Sequence, residues 1–173
     1  MLERNKQMPA RQWPALTPQA YRDAMSRFAG AVSVVTTDGP AGRRGVTVSA
    51  AVSISDNPPT VLVCLNRNRI ENNFFERNTC FAINVLTAKQ IELARAFAGE
   101  GHMPMENRFL LGQWSMLETG APILKDCRMA LDCIVRDVQS VHTHYVVVGE
   151  AIASAFAGRG RALLYLDRGY RTL

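Results

Sequence analysis

The sequence predicts a mostly-β domain, a β-barrel with peripheral helices. Seven or eight segments are short, β-branched and bounded by Gly, Pro, Asn or Asp, and only two or three carry a helical period. The two kinds of segment do not alternate regularly, which argues against a doubly wound nucleotide fold. Neither a G-x-G-x-x-G nor a Walker sequence occurs.

Residues 1–16, MLERNKQMPARQWPAL, are charged and contain proline but no apolar run. They read as an N-terminal arm, not a secretory signal, ahead of one domain over 17–173. Thr17-Pro18 opens a helix, with Thr17 as N-cap, Pro18 at the first helical position and Gly30 at the exit. Tyr21, Met25 and Phe28 give that helix one apolar face. AVSVVTT (31–37) is a strand, with Val32 and Val34 opposed to Ser33 and Val35, and DGPAGRRG (38–45) is a hairpin loop. VTVSAAVSIS (46–55) reads as one long strand. Val46, Val48, Ala50, Val52 and Ile54 share one face; Thr47, Ser49, Ala51, Ser53 and Ser55 share the other. The second face is small and hydroxylic. It reads two ways, as a surface left low for a flat ligand or as one packed tightly by another sheet or subunit.

DNPP (56–59) interrupts the chain, since proline cannot donate to a ladder. TVLVCLN (60–66) reads as a strand buried on both sides, and RNRIENNFFERN (67–78) as a polar loop leading to a short helix around Phe74 and Phe75. CFAINVL (80–86) is a further buried strand. Thr87 and Gln90 form a capping box for a helix whose apolar face is Ile91, Ala94, Phe97 and Ala98, ended by Gly99 and Gly101. Residues 101–109 read as a loop, and 113–124 as strand and turn. RMALDCIVRDV (128–138) reads as a half-exposed strand with Asp132 and Arg136 on its polar side. HYVVVGEAIASAF (144–156) is a long strand with Gly149 as a bulge. AGRGRA (157–162) turns, and LLYLDRGYRTL (163–173) adds one more strand.

At 47% apolar and 20% charged, 173 residues suit a single soluble globular domain. No apolar run is long enough to span a membrane. Cys64, Cys80, Cys127 and Cys133 sit mostly in apolar runs without a C-x-x-C, so they read as buried reduced thiols of a cytoplasmic protein. The net charge of +5 is almost all arginine, since the only lysines are Lys6, Lys89 and Lys125. Arginine favours planar, bidentate contact with phosphate or carboxylate. The arginines are scattered, not set in a stripe with aromatics, which argues against nucleic acid.

Asn66, Arg67, Asn68 and Arg69, just ahead of a short helix, read either as a phosphate-holding loop or as a solvated one. His142 and His144 lie two apart and are expected to share a strand face. No third metal ligand accompanies them, so no metal is assigned. His144 reads as a polar group at a pocket mouth or as a structural histidine. No G-x-S-x-G or activated cysteine stands out, so the chemistry is expected to belong to a bound cofactor.

Seven pieces carry a family likeness: YRDAM (21–25), AVSVVTTDGPAGRRGVTVSA (31–50), S-x-S-D-x-PP (53–59), LVCLNR (62–67), N-x-L (84–86), PMENRF (104–109) and LLYLDRGYR (163–171). In this order and spacing the chain resembles the flavin reductase-like family of FMN-binding split barrels over 21–170. Within that family it is similar to the reductases of 4-hydroxyphenylacetate hydroxylation and pyrimidine utilisation. The broader group includes enzymes that reduce cobalt in corrin biosynthesis.

The resemblance implies a homodimeric split barrel with FMN, or else FAD, near the subunit interface and NADH or NADPH as cosubstrate. It implies that the isoalloxazine lies against Thr47, Val48, Ser49 and Ala50, with Ser53 nearby. The phosphate is implied in the loop of Asn66, Arg67 and Asn68, with Asn73 and Arg95 as further partners. His144 takes the place of a family histidine beside the nicotinamide, and His142 stands where many relatives carry glycine. Hydride transfer from nicotinamide to flavin N5 follows, with the protein positioning the reactants and doing no acid–base work. The implied role is an NAD(P)H-dependent FMN reductase that feeds a partner flavin-dependent monooxygenase. One alternative is an FMN-containing reductase that passes electrons to a corrinoid such as cob(II)yrinic acid a,c-diamide. Another, of a different class, is a non-catalytic barrel that binds flavin or oligonucleotide; the lack of a basic, aromatic stripe counts against the oligonucleotide form.

Overall fold

The computed structural model describes residues 13–156 and 160–173. Most of the expected arm, 1–12, lies outside them, and 13–16 are exposed and carry neither helix nor strand. Thr17 caps α1 (Pro18–Met25), its hydroxyl accepting from the Ala20 amide at 3.2 Å. The helix stops at Ser26, short of the expected glycine, because Gly30 already belongs to β1 (Gly30–Ala31). Its apolar face is left exposed by the described residues: Tyr21, Met25 and Phe28 all stand open.

β2 (Ser33–Thr37) and β3 (Arg44–Val48) form the expected hairpin. The long strand expected over 46–55 is two strands instead. It breaks at Ser49 and Ala50 and resumes as β4 (Ala51–Asp56). The break shifts the period by one residue, so Val48 and Ala51 both meet one core cluster while Val52 and Ile54 turn outward and stand exposed. A two-residue turn leads into β5 (Pro59–Asn66), with Asp56 paired to Pro59. β5 alternates and is not buried on both sides: Val61, Val63 and Leu65 are buried, whereas Thr60, Leu62 and Cys64 are half-buried.

A 3-10 turn, Ile70–Asn73, precedes α2 (Phe74–Arg77), which buries Phe75. β6 (Cys80–Val85) follows. The capping box of Thr87 and Gln90 is present and starts α3 (Ile91–Ala98), which exits through Gly99 at φ 95°. The expected loop at 101–109 contains α4 (Met105–Phe109), which anchors Phe109 in the core. Phe109 and Trp114 lie 4.9 Å apart between ring centroids, and Trp114 also reaches Phe97 at 5.9 Å. The strand expected around Trp114 shrinks to β7 (Trp114–Ser115), paired with β8 (Ile123–Leu124).

β9 (Met129–Val141) and β10 (His144–Ala155) form the longest hairpin, with a register shift at Gly149 as expected. Asp132 is fully buried, not exposed, because the backbone amide of Thr119 (2.8 Å) and the Thr119 hydroxyl both donate to its carboxylate. His142 lies in the turn outside the strand, at φ 48°, so the two histidines do not share a strand face. The expected turn at 157–162 falls partly outside the described residues. The single strand expected at the C-terminus is a hairpin, β11 (Leu163–Leu166) and β12 (Gly169–Thr172), turned by Asp167 and Arg168, both at positive φ.

The main sheet is antiparallel and seven-stranded, in the order β3-β2-β6-β9-β10-β5-β4. β2 and β6 read as continuous apolar runs because both of their faces are covered. Val35, Phe81 and Ile83 enter one core cluster, while Val34, Cys80 and Ala82 enter the other, beneath Leu93, Ala94 and Phe97 of α3. The smaller sheet, β1-β11-β12, docks where the Val32 amide donates to the Leu163 carbonyl and the Leu163 amide to the Leu86 carbonyl. β3 and β4 are consecutive in sequence but occupy opposite edges of the main sheet, and no ladder joins them. The curl therefore has a seam.

Candidate functional site

The seam places unpaired main-chain groups of β3 beside the end of α3. Two contacts hold them there. A Cβ on Gly45 would sit 2.3 Å from the Phe97 ring, so only glycine lets α3 press this closely on the strand. The Thr47 hydroxyl donates to the carbonyl of Ala94 at 2.7 Å. Two hollows open beside this contact, and Thr47 and Ala98 line both. Consecutive β3 residues line each one, so the hollows follow the strand's edge and not a single face.

The first hollow, about 360 Å³, is a basic cleft. Arg44, Arg69 and Arg108 line it with Asn66, Asn72 and His102, and Glu71 is its one carboxylate. The Arg44 side chain is only 12% exposed; it donates to Asn72 Oδ1 at 3.1 Å and stands 4.0 Å from Glu71. Asn72 in turn donates to the Asn66 carbonyl at 2.8 Å, tying the 3-10 turn to the end of β5. Burial holds the Arg44 guanidinium below its ordinary proton affinity; Glu71 opposes this, and Arg108 and Arg69 push it lower. Arg108 is lowered in the same way, by burial first and then by Arg69. Three cations crowded against one carboxylate, with burial resisting the charge, make a site suited to an anion.

The second hollow, about 210 Å³, lies at the other end of β3. Thr47, Val48 and Ser49 line one side, and Tyr165 and Tyr170 of the β11–β12 hairpin line the other, with Glu100 between. It is small-walled, half-apolar and flanked by a strand edge, which suits a planar heteroaromatic ring with polar atoms on its rim. The residues present therefore fit a flavin mononucleotide: a slot for the ring and, past Thr47, a cationic cleft for the phosphate.

The other residues singled out from sequence take varied places. Ala50 is at the seam's kink and accepts from the Cys64 amide at 3.1 Å. Ser53 is exposed on β4, beside a register shift. Arg67 does not line the cleft; it donates to the His142 carbonyl at 3.0 Å and stacks on Tyr145 at 5.4 Å, bracing the β9–β10 turn. The Asn68 amide donates to Asn66 Oδ1 at 2.8 Å, closing the loop. Asn73 holds a buried Oδ1 with no hydrogen-bond donor among the described residues. Arg95 stands near the ring slot: it pairs with Glu92 (3.1 Å) and Glu100 (3.8 Å) and lies 6.0 Å from the Tyr170 ring. His144 is exposed, directly across the ladder from Asn66, with Nδ1 2.9 Å from the Thr143 hydroxyl.

Sequence reasoning assigned no role to Arg44 or Arg108. The signal was present, since Arg108 falls in the PMENRF run and Arg44 in the loop two residues ahead of the small-residue strand. Only the fold brings them together.

The family model described as flavin reductase like domain matches residues 25–173. The chain belongs to this family. It is 43% identical over 169 residues to the FMN reductase (NADH) RutF of Variovorax paradoxus (strain S110), covering 98% of this chain and 93% of that protein. BorF, the flavin reductase component of a bacterial two-component tryptophan halogenase, superposes with a TM-score of 0.83 at 26% identity, over 91% of this chain and 98% of its own. The NADH:FAD oxidoreductase SgcE6 of Streptomyces globisporus C-1027, in complex with NAD and FAD fragments, superposes with a TM-score of 0.80 at 26% identity, over 92% and 96% of the two chains. The flavin reductase-like fold and an oxidoreductase activity follow.

Proposed function

We propose that this flavin reductase-like chain is an NAD(P)H-dependent FMN reductase that supplies reduced flavin to a partner flavin-dependent monooxygenase. The observation that carries the reading is the cleft of Arg44, Arg69 and Arg108, opposed by Glu71 alone, at one end of a strand edge made of small residues. Bound flavin supplies the hydride-accepting ring. The chain's own residues position it: Thr47, Val48, Ser49 and Ala50 offer a low edge with main-chain donors and acceptors, and Asn66 and the three arginines hold the phosphate. His144, at the end of β10 beside Asn66, is assigned to position the nicotinamide. Hydride transfer itself moves no proton through a side-chain dyad, so positioning carries the reading.

The working unit in this reading is a homodimer. Support comes from the apolar side chains left uncovered on α1 (Tyr21, Met25 and Phe28) and on β4 (Val52 and Ile54). Among the described residues no helix is long and apolar enough to cross a membrane. We place the activity in the cytoplasm, where the four free cysteines stay reduced.

The test is the loss of NADH and of NADPH absorbance with FMN, FAD and riboflavin as acceptors, beside equilibrium flavin titration. Turnover with FMN and saturable FMN binding are expected. A chain that binds no FMN and leaves NADH unchanged in its presence would refute the proposal.

A further inference from the structure

The tyrosine pair of the C-terminal hairpin lines the ring slot, but neither residue has yet been given a role in holding the ring. Tyr165 and Tyr170 pack edge to face with centroids 5.5 Å apart, facing one another across the β11–β12 ladder. Both line the slot at the Ser49 end of β3. Their approach to that strand is set by a glycine. Gly30 pairs with Tyr165, and a Cβ on Gly30 would sit 3.0 Å from both the Cβ and the carbonyl oxygen of Ser49. Any larger residue would push the hairpin away from the strand end and widen the slot.

The pair also differs from ordinary core aromatics. Tyr165 is 38% exposed, although its partner is wedged into the core cluster beside α3. Tyr170 is held from the opposite side by the Arg95 guanidinium at 6.0 Å, which Glu100 pins at 3.8 Å. One aromatic ring is thus fixed and orients a second, whose free surface borders a hollow floored by Thr47, Val48 and Ser49.

We propose that Tyr165, oriented by Tyr170, is a ring-positioning residue that forms the second wall of the flavin slot and selects for a planar heteroaromatic ligand. This rests on the reading that places the flavin ring at the Thr47–Ser49 end of β3. An aromatic wall opposite a strand edge holds a flat ring by contact on one side and hydrogen bonding along the other. The wall acts on the ring alone, so it is indifferent to the phosphate.

The test compares FMN with riboflavin, which keeps the ring and lacks the phosphate, on wild type, Tyr165→Leu and Tyr165→Phe. Tyr165→Leu is expected to weaken both ligands by about the same factor, roughly tenfold for a lost aromatic contact. Tyr165→Phe keeps the contact and is expected within about twofold of wild type. Flavin fluorescence gives a second readout that does not depend on affinity. A tyrosine at the ring quenches the excited flavin by electron donation and phenylalanine does not. Because Tyr170 lines the same slot, brightness is compared in a Tyr170→Phe background, where FMN bound with Tyr165→Phe is expected to be brighter than FMN bound with Tyr165 intact. If Tyr165→Leu does not fold, the brightness of Tyr165→Phe in that background decides. Unchanged affinity in folded Tyr165→Leu, or unchanged brightness in Tyr165→Phe in that background, overturns the proposal while wild type still binds FMN. Failure of wild type to bind either flavin overturns the underlying reading instead.

Discussion

Replacing Arg44 with glutamine separates the phosphate end of the site from the ring end. Three guanidiniums against one carboxylate leave about two positive charges uncompensated in the cleft. A phosphomonoester near neutral pH carries about 1.5 to 2 negative charges, so it balances the cleft nearly completely. Arg44 is 12% exposed, so solvent screens it weakly. A hydrogen bond to a charged group contributes about 1.5–3 kcal/mol. A unit pair at ~5 Å and an effective dielectric near 20 gives about 3 kcal/mol. Arg44→Gln should then weaken FMN by about 2–3 kcal/mol, roughly 30- to 150-fold in Kd. Riboflavin affinity should stay within about twofold, since it brings no charge to the cleft. Stability should change by less than about 1 kcal/mol, because losing the bond to Asn72 is offset by relief of burial and of repulsion from Arg69 and Arg108. The assay is fluorescence titration of both flavins at low and high salt, with a denaturant curve as the folding control. Equal weakening of FMN and riboflavin, or weakening of neither, would refute the assignment of the cleft.

His144→Ala is expected to lower NADH turnover at least about tenfold while leaving the FMN Kd within about twofold, as the proposed placing of its ring beside the cosubstrate and away from the flavin requires. Steady-state kinetics beside flavin titration tests this, and equal loss of both would show a structural role. His142→Gly should leave stability unchanged or raise it by up to about 1 kcal/mol, because His142 sits at φ 48°, where glycine pays no steric cost. A lower melting temperature would contradict that account. Burial pushes the Cys133 thiol up to about 12, against an ordinary value of 9.0. The folded state therefore binds this proton more tightly than the unfolded state, and the resulting stability is full below pH 9 and lost as pH rises toward about 12. Denaturant midpoints at a series of alkaline pH values should fall more steeply for wild type than for Cys133→Ala. Parallel curves would count against it.

The capping box, the β2–β3 hairpin and the Gly149 bulge were legible because each rests on a local rule: a cap, a turn or a bulge. The split of the 46–55 segment was not. Its alternation of small and apolar residues runs unbroken through Ser49 and Ala50, and only the pairing of its halves with different strands, β2 and β5, shows that the chain changes edges there. Asp132 was misread for a related reason, since its partner Thr119 comes from a loop packed against the strand and not from a neighbouring ladder position. At the site, the small strand and the Asn66 loop could be read from sequence. The arginine trio could not, because 44, 69 and 108 meet only when β3, the 3-10 turn and α4 converge. Arg95 carries the opposite lesson. The family resemblance implied a phosphate partner there, whereas Glu92 and Glu100, both near in sequence, engage it.

The unclosed seam also fixes where the molecule gives way first. β6 and β9 are flanked on both sides and should carry the global stability, whereas β3 and β4 each hang from one neighbour and should open at lower cost. Residues 48 and 51, three apart in sequence, stand at the two ends of the sheet's order, so a disturbance of the short link between them is felt at both lips. A ligand lodged along one lip adds its binding free energy to keeping the curl shut. Slowed amide exchange at both margins on adding flavin, with the middle strands unmoved, would be its signature.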